Sequence, residues 1–289
     1  MKKIIKSDFS GKKYKNINFK LSYKKNIRHT QTNKKKLIIV IRGHIRESFD
    51  NNALYNFLSN LRNKYNLFIF IHTWNIKNNA ISWRKINEDI NIIDENIILN
   101  YFRDIEICKI LIDNENDIVL NGELEGNIKT TLMPIKGWKN MWYGMNRIIS
   151  YISKNLNFYE LSSTTFTLNI RVDYFFNSTL SYYTKNINDL DYLNKIFNFE
   201  SENILFLTNA KNYYGIDNIY FGKFYKIFYT TLLFHTKLDN IINYFNIIHA
   251  QERMVYLIQP FINKYCIKNI DDVNSETIIN YILLKLIYS

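Results

Sequence analysis

Two runs of five apolar residues stand out early in the chain. They are Leu37-Ile38-Ile39-Val40-Ile41, directly after Lys34-Lys35-Lys36, and Leu67-Phe68-Ile69-Phe70-Ile71. Neither run alternates with polar residues, so each reads as a strand buried on both faces, as parallel strands are under flanking helices. Between them Ala53, Leu54, Phe57, Leu58 and Leu61 recur at helical spacing, which predicts an amphipathic helix over residues 51–64. Strand, helix and strand in this order predict a right-handed βαβ unit opening a parallel sheet.

Farther along, Ile97-Ile98-Leu99 suits a short third strand, and residues 113–125 form an acidic stretch with turn character. Over residues 137–155, Trp138, Met141, Trp142, Met145, Ile148, Ile149 and Ile152 keep a helical period and predict a long helix. It precedes the apolar, β-branched run Phe166-Thr167-Leu168-Asn169-Ile170, which ends in Arg171-Val172-Asp173. A helix over 190–197, strands at 204–207 and near 219–221, and helices over 224–245, 251–261 and 276–287 complete the expected order. There is no internal repeat and no Pro/Gly-rich linker. The fold class that follows is α/β, a mixed and mainly parallel sheet flanked by helices, with a helical C-terminal part.

Charge changes this picture only at one end. Residues 1–36 hold twelve Lys, one Arg and one Asp, which accounts for the whole net charge of +12, so residues 37–289 balance at zero. The basic character is an N-terminal arm, read either as a solvated tail or as a tether to an anionic membrane surface, worth up to ~1 kcal/mol per basic residue. With a neutral body and no recognisable nucleic-acid module, no nucleic-acid partner is expected. The apolar runs are far below the ~20 residues of a spanning helix, and Cys108 and Cys266 lack any paired spacing. A cytoplasmic protein, peripheral on the inner membrane if the arm tethers it, is the expectation. The abundance of Lys, Asn, Ile, Tyr and Phe has the look of an A/T-rich coding sequence, and composition therefore carries little functional weight.

With only eight glycines there is no Walker loop and no dinucleotide fingerprint, and neither a zincin helix nor a nucleophile elbow is present. What remains are three polar clusters at strand ends: Arg42-Gly43-His44-Ile45-Arg46, His72-Thr73-Trp74 and Arg171-Val172-Asp173. If the strands are parallel neighbours, all three open onto the same sheet edge, where open α/β sheets bind ligands. Arg46 would then meet phosphate, Trp74 would form a stacking face or wall, and Asp173 would hold a metal, a set suited to a nucleotide diphosphate. Each also has a plainer reading: Arg46 as a charge at a helix start, His72 as a core histidine, Trp74 as packing, Arg171 and Asp173 as an ion pair.

These spaced motifs resemble the GT-A glycosyltransferases encoded in bacterial and viral capsule and lipooligosaccharide clusters. The resemblance spans residues 37–257. It rests on Gly43-His44-Ile45-Arg46, on Phe70-Ile71-His72-Thr73-Trp74, on Met141-Trp142-Tyr143-Gly144 followed by Asn146 and Arg147, and on the Arg-x-Asp strand end. Downstream, Asp217-Asn218-Ile219-Tyr220-Phe221-Gly222 is similar to an acceptor-side strand, and His249-Ala250-Gln251-Glu252 to a late helix start.

The resemblance implies a single GT-A-like catalytic domain over 37–289, with a nucleotide-sugar half at 37–180 and an acceptor-side half at 181–289. The implied partners are a nucleotide-sugar donor and a glycan or lipid-linked glycan acceptor. Donor binding falls to Gly43, Arg46, His72, Thr73, Trp74, Tyr143, Asn146, Arg147, Arg171 and Asp173, and catalysis to Asp217 and Glu252. Asp173 stands where the family keeps its metal-binding Asp-x-Asp carboxylate, with Mg²⁺ or Mn²⁺ as the ion. Arg171 replaces the first carboxylate of that motif, so the leaving diphosphate is neutralised either by an ion on Asp173 or by Arg171. Two other classes stay open: transfer of a phosphate-containing group onto a capsular sugar, and a non-enzymatic protein that binds anionic membrane or nucleic acid through the arm.

Overall fold

A computed structural model describes residues 34–79, 81, 87–128, 133–172, 205–208, 215–245, 251–270 and 272–288. Strand β1 (Lys35–Arg42) is followed by helix α1 (Ala53–Arg62) and strand β2 (Tyr65–Trp74). Strands β3 (Ile76–Asn78) and β4 (Asp89–Ile92) form a small antiparallel ribbon, then come α2 (Glu95–Phe102) and β5 (Lys109–Asp113). Helix α3 (Ile135–Asn155) leads into β6 (Phe166–Arg171). Strands β7 (Leu205–Thr208) and β8 (Gly215–Lys223) and helices α4 (Phe224–Tyr244), α5 (Gln251–Tyr265) and α6 (Asp272–Ile287) follow.

The main sheet has the strand order β5-β2-β1-β6-β8-β7. Strands β5, β2, β1 and β6 are mutually parallel neighbours. Strand β8 opposes β6, and β7 opposes β8. The chain therefore leaves β1 toward β2 and β5, then returns to place β6 on the other side of β1. The direction of winding reverses between β1 and β6.

Why the central strands read as unbroken apolar runs is now plain. Leu37, Ile39 and Ile41 of β1 join a core with Leu54, Phe57, Leu58 and Leu61 of α1 and with Ile98 and Phe102 of α2. Ile38 and Val40 point the other way, into a core with Trp138, Trp142, Met145 and Ile149 of α3 and with the α4–α6 helices. Helices cover both faces, so neither parity of the strand needs polar residues.

Three expectations change. Residues 97–99 are helix, not strand: Asp94 caps α2 by accepting from the Ile97 backbone N–H at 2.9 Å, and Ile98 and Phe102 meet the core four residues apart. Asp113 is not in a turn but ends β5, a half-exposed edge strand whose short Ile110-Leu111-Ile112 core gives a weak signal. Lys35 and Lys36, grouped with the basic arm, are the first residues of β1. The remaining helix and strand expectations land on observed elements, except the helix at 190–197, which lies outside the described residues. Among the described residues no helix is long and apolar enough to cross a membrane.

Candidate functional site

In-register pairing sets the C-terminal strand ends side by side. Arg42 pairs with both His72 and Arg171, and Trp74 pairs with Asp113. Side chains alternate along a strand, so Arg42, His72, Trp74 and Arg171 fall on the α3 side while Thr73 and Val172 fall on the other. A pocket of about 760 Å³, counting its solvent-open mouth, sits on this edge between the strand ends and α3. It is lined by Arg42 and Arg171, so it lies where the winding reverses, the crevice in which open α/β sheets bind ligands.

Arg42 is 1% exposed. Its Nε donates to Asn169 Oδ1 at 2.7 Å and its Nη2 to the Tyr220 hydroxyl at 2.9 Å, while that hydroxyl donates to Met145 Sδ at 3.2 Å. A permanently charged guanidinium is thus held under the pocket by β6, β8 and α3 together. The chain then leaves β1 through Gly43, whose φ of +103° an L side chain rarely adopts. Gly43 N donates to His72 O, and Gly43 O accepts from the Thr73 hydroxyl at 2.9 Å. Thr73 therefore holds the loop from the opposite face of the sheet.

Arg46 has φ of +50°, a left-handed conformation that costs a non-glycine residue about 1–2 kcal/mol. It is kept there by its N–H on Lys77 O and by Nε on Asn78 Oδ1 at 3.1 Å, both from β3. The Arg46 side chain is part of the pocket lining. The small ribbon thus positions this second cation.

His72 Nε2 lies 3.2 Å from Asp113 Oδ2. Asp113 in turn takes Arg147 Nε at 3.0 Å and Nη2 at 3.3 Å. Burial opposes ionisation of Asp113, but the bonds from His72 and Arg147 outweigh it and hold the carboxyl well below the usual carboxylate range. For His72 burial dominates over Asp113, so the imidazole is held below its ordinary value and stays neutral. Trp74 is buried, stacked with His44 at 5.9 Å and with Tyr143 at 6.0 Å. The His44 nitrogens face Glu115 Oε1 at 2.9 Å and Ile76 O at 3.3 Å, and Asn79 Nδ2 also donates to Glu115.

Of the residues expected at the site, Gly43, Arg46, His72, Trp74 and Arg171 line one pocket. Tyr143 stands behind Trp74, and Arg147 acts through Asp113. Asn146 is not brought in: it accepts from Ser150 on its own helix at 3.3 Å. Asp173 lies outside the described residues, as do the side chains of Asp217 on β8 and Glu252 on α5. Pocket residues not singled out from the sequence include Asn140, Glu115 and Asn79. Asn140 had a signal, being a polar residue between Gly137 and Gly144 on one face of a helix whose neighbouring stripe is apolar.

Among the described residues no three His, Cys, Asp or Glu side chains group as metal ligands. Glu115 lines the pocket with its carboxylate engaged by His44 and Asn79, and Arg42, Arg46 and Arg171 are also among the lining residues. The described part of the pocket suits an anion and does not supply the donor set of a divalent ion. Comparison with protein-family models, curated proteins and solved structures found no match to this chain.

Proposed function

We propose that this chain is a glycosyltransferase of the GT-A kind, moving a sugar from a nucleotide-sugar donor to a bacterial surface glycan of the capsule or lipooligosaccharide type. One observation carries the reading: Arg42, Arg46 and Arg171 all line one solvent-open pocket at the reversal point of a mainly parallel sheet. Arginine matches phosphate oxygens in pairs and stays charged at every working pH. Placed at the leaving diphosphate, the three groups stabilise the charge that grows as the glycosidic bond breaks.

The sheet supports the same reading, since one reversed strand in an otherwise parallel sheet is the mixed arrangement the resemblance implies. Asp217 on β8 and Glu252 at the start of α5 are the carboxylates assigned to take the acceptor proton. The acceptor class comes from the resemblance alone. A thermal-shift screen with UDP, GDP, CMP and their sugars, with and without Mn²⁺, followed by detection of donor hydrolysis, tests the assignment. A donor that raises the melting temperature and is slowly hydrolysed is the expected result. No response to any nucleotide or nucleotide sugar would remove it.

A further inference from the structure

We propose that Asn140 and His72 form a base-recognition corner of the pocket, selecting a nucleobase with an exocyclic amino group (cytosine, adenine or guanine) over uracil or thymine. The inference rests on the nucleotide-sugar reading above and adds the class of base. It starts from two unmet hydrogen-bonding groups. Asn140 is 4% exposed, and neither its amide oxygen nor its amide nitrogen has a partner. His72 is 1% exposed, and its Nδ1 has none either. Both residues line the pocket. Buried polar groups are nearly always satisfied, so two unmet side chains at one pocket call for a ligand that completes them.

What that ligand must offer follows from counting donors and acceptors. The Asp113 carboxylate only accepts, so the proton of the neutral His72 ring sits on Nε2, and Nδ1 keeps a lone pair. Asn140 adds one acceptor oxygen and one donor NH₂. The corner therefore asks for two donors and one acceptor. Cytosine and adenine present an amino group beside a ring nitrogen, and guanine presents an amino group and a ring N–H beside a carbonyl. Uracil and thymine, joined to ribose, keep a single N–H and would leave one acceptor bare. A bare buried acceptor is what makes such sites discriminate strongly.

Gly137, Asn140 and Gly144 share a face of α3, where the His72 ring fills the space beside Gly144 and Ile81 packs against Gly137, so the amide and the imidazole are brought to the same side of the helix. Three of the chain's five methionines, Met133, Met141 and Met145, complete the walls. Thioether side chains are flexible and polarisable, able to part above the buried amide and pack on a π-face. The arginines at the strand ends are left to the phosphates.

Isothermal titration calorimetry of the full chain with CMP, CDP, ADP, GDP, UDP and dTDP tests this directly. At equal phosphate number, the amino-bearing nucleotides should bind at least tenfold tighter than UDP and dTDP, and the ranking among them names the base. Asn140→Leu, close to the same size, should raise the melting temperature of the free protein, because it removes an unmet buried amide. The same change should weaken the preferred nucleotide tenfold or more and erase the base preference. Asn140→Ser repeats the affinity test if the leucine variant does not fold. Equal binding of UDP and CDP by the unaltered protein, or unchanged affinity in the variants, overturns the inference. An effect of Asn140 variants on nucleotide sugars but not on free nucleotides overturns the base assignment while leaving the transferase reading intact. Failure of the unaltered protein to bind any nucleotide overturns both.

Discussion

Gly144 of α3 and His72 of β2 touch so closely that a Cβ at position 144 would lie 2.5 Å from His72 Cε1 and 2.6 Å from Nδ1. The helix carries a glycine in its interior because the histidine ring occupies the space of a side chain. In an open helix position Gly→Ala gains about 1 kcal/mol. Here the overpacking, about 1–3 kcal/mol, acts against both the helix backbone and a buried ring. Gly144→Ala is therefore expected to lower the melting temperature and weaken nucleotide binding. A more stable alanine variant in urea unfolding would refute the contact.

The Asp113–His72 pair ties stability to pH with a defined sign. The Asp113 carboxyl is held below its unfolded value and the His72 ring is held below its own. In both cases the unfolded chain binds protons first, so stability is fully present above the unfolded pKa and lost as pH falls toward the folded one. For His72 that loss begins below pH ~6.5, and for Asp113 below ~3.9. Urea midpoints should fall between pH 7 and pH 5.5, and His72→Gln should flatten that slope. A slope unchanged by the substitution would show that His72 is not the group responsible.

Tyr220 joins Arg42 to Met145, since its hydroxyl accepts from the guanidinium at 2.9 Å and donates to the sulfur at 3.2 Å. Tyr220→Phe keeps the ring in the core and removes both bonds. With a charged donor deprived of one acceptor, a loss of about 1.5–3 kcal/mol is expected. Equilibrium unfolding measures it, and a change under 0.5 kcal/mol would mean that water replaces the hydroxyl without cost.

Arg171 shares the register position of Arg42 across the winding reversal and lines the pocket. Arg171→Ala should weaken nucleoside diphosphate binding by about 10- to 100-fold, the equivalent of one charge-assisted bond, and reduce its salt dependence. Asp173→Ala should also reduce nucleotide diphosphate binding strongly if a metal contributes. Calorimetry that finds Asp173→Ala unaltered and Arg171→Ala impaired would assign the diphosphate to arginine alone.

In the proposed transferase, Asp217 and Glu252 are the candidates for taking the acceptor proton. Replacing each by its amide should slow transfer by about 10²–10⁴-fold in the variant that loses the base. Donor hydrolysis, which needs no acceptor alignment, serves as the control. Near-unaltered turnover in both Asp217→Asn and Glu252→Gln would end this assignment.

Much of the scaffold was legible in the residue order. The unbroken runs at 37–41 and 67–71 identified strands covered on both faces, and the 3.6-residue period of Trp138 to Ile152 identified α3. Polar residues at the strand ends were legible too, because a buried parallel strand tolerates charge only where it emerges. The segments misread were short. Ile97-Ile98-Leu99 is too brief to separate strand from helix by periodicity, and the Asp94 cap decided it. The edge strand at Lys109–Asp113 carries too little apolar length to announce itself.

The amino-acid order by itself determined which segments are buried, their periodicity, and that arginines and histidines sit where strands end. Tertiary structure alone decided which of those ends are neighbours. Register placed Arg42 beside His72 and Arg171, and the pleat sent Thr73 to the far face. Strain at Arg46 and the missing side chain at Gly144 became meaningful only once β3 and His72 were seen against them. So did the unmet amide of Asn140. Local pattern encodes burial because burial depends on the hydrophobicity of each residue and its near neighbours. Pairing, register and unmet hydrogen bonds depend on segments far apart in the chain, and only folding brings these together.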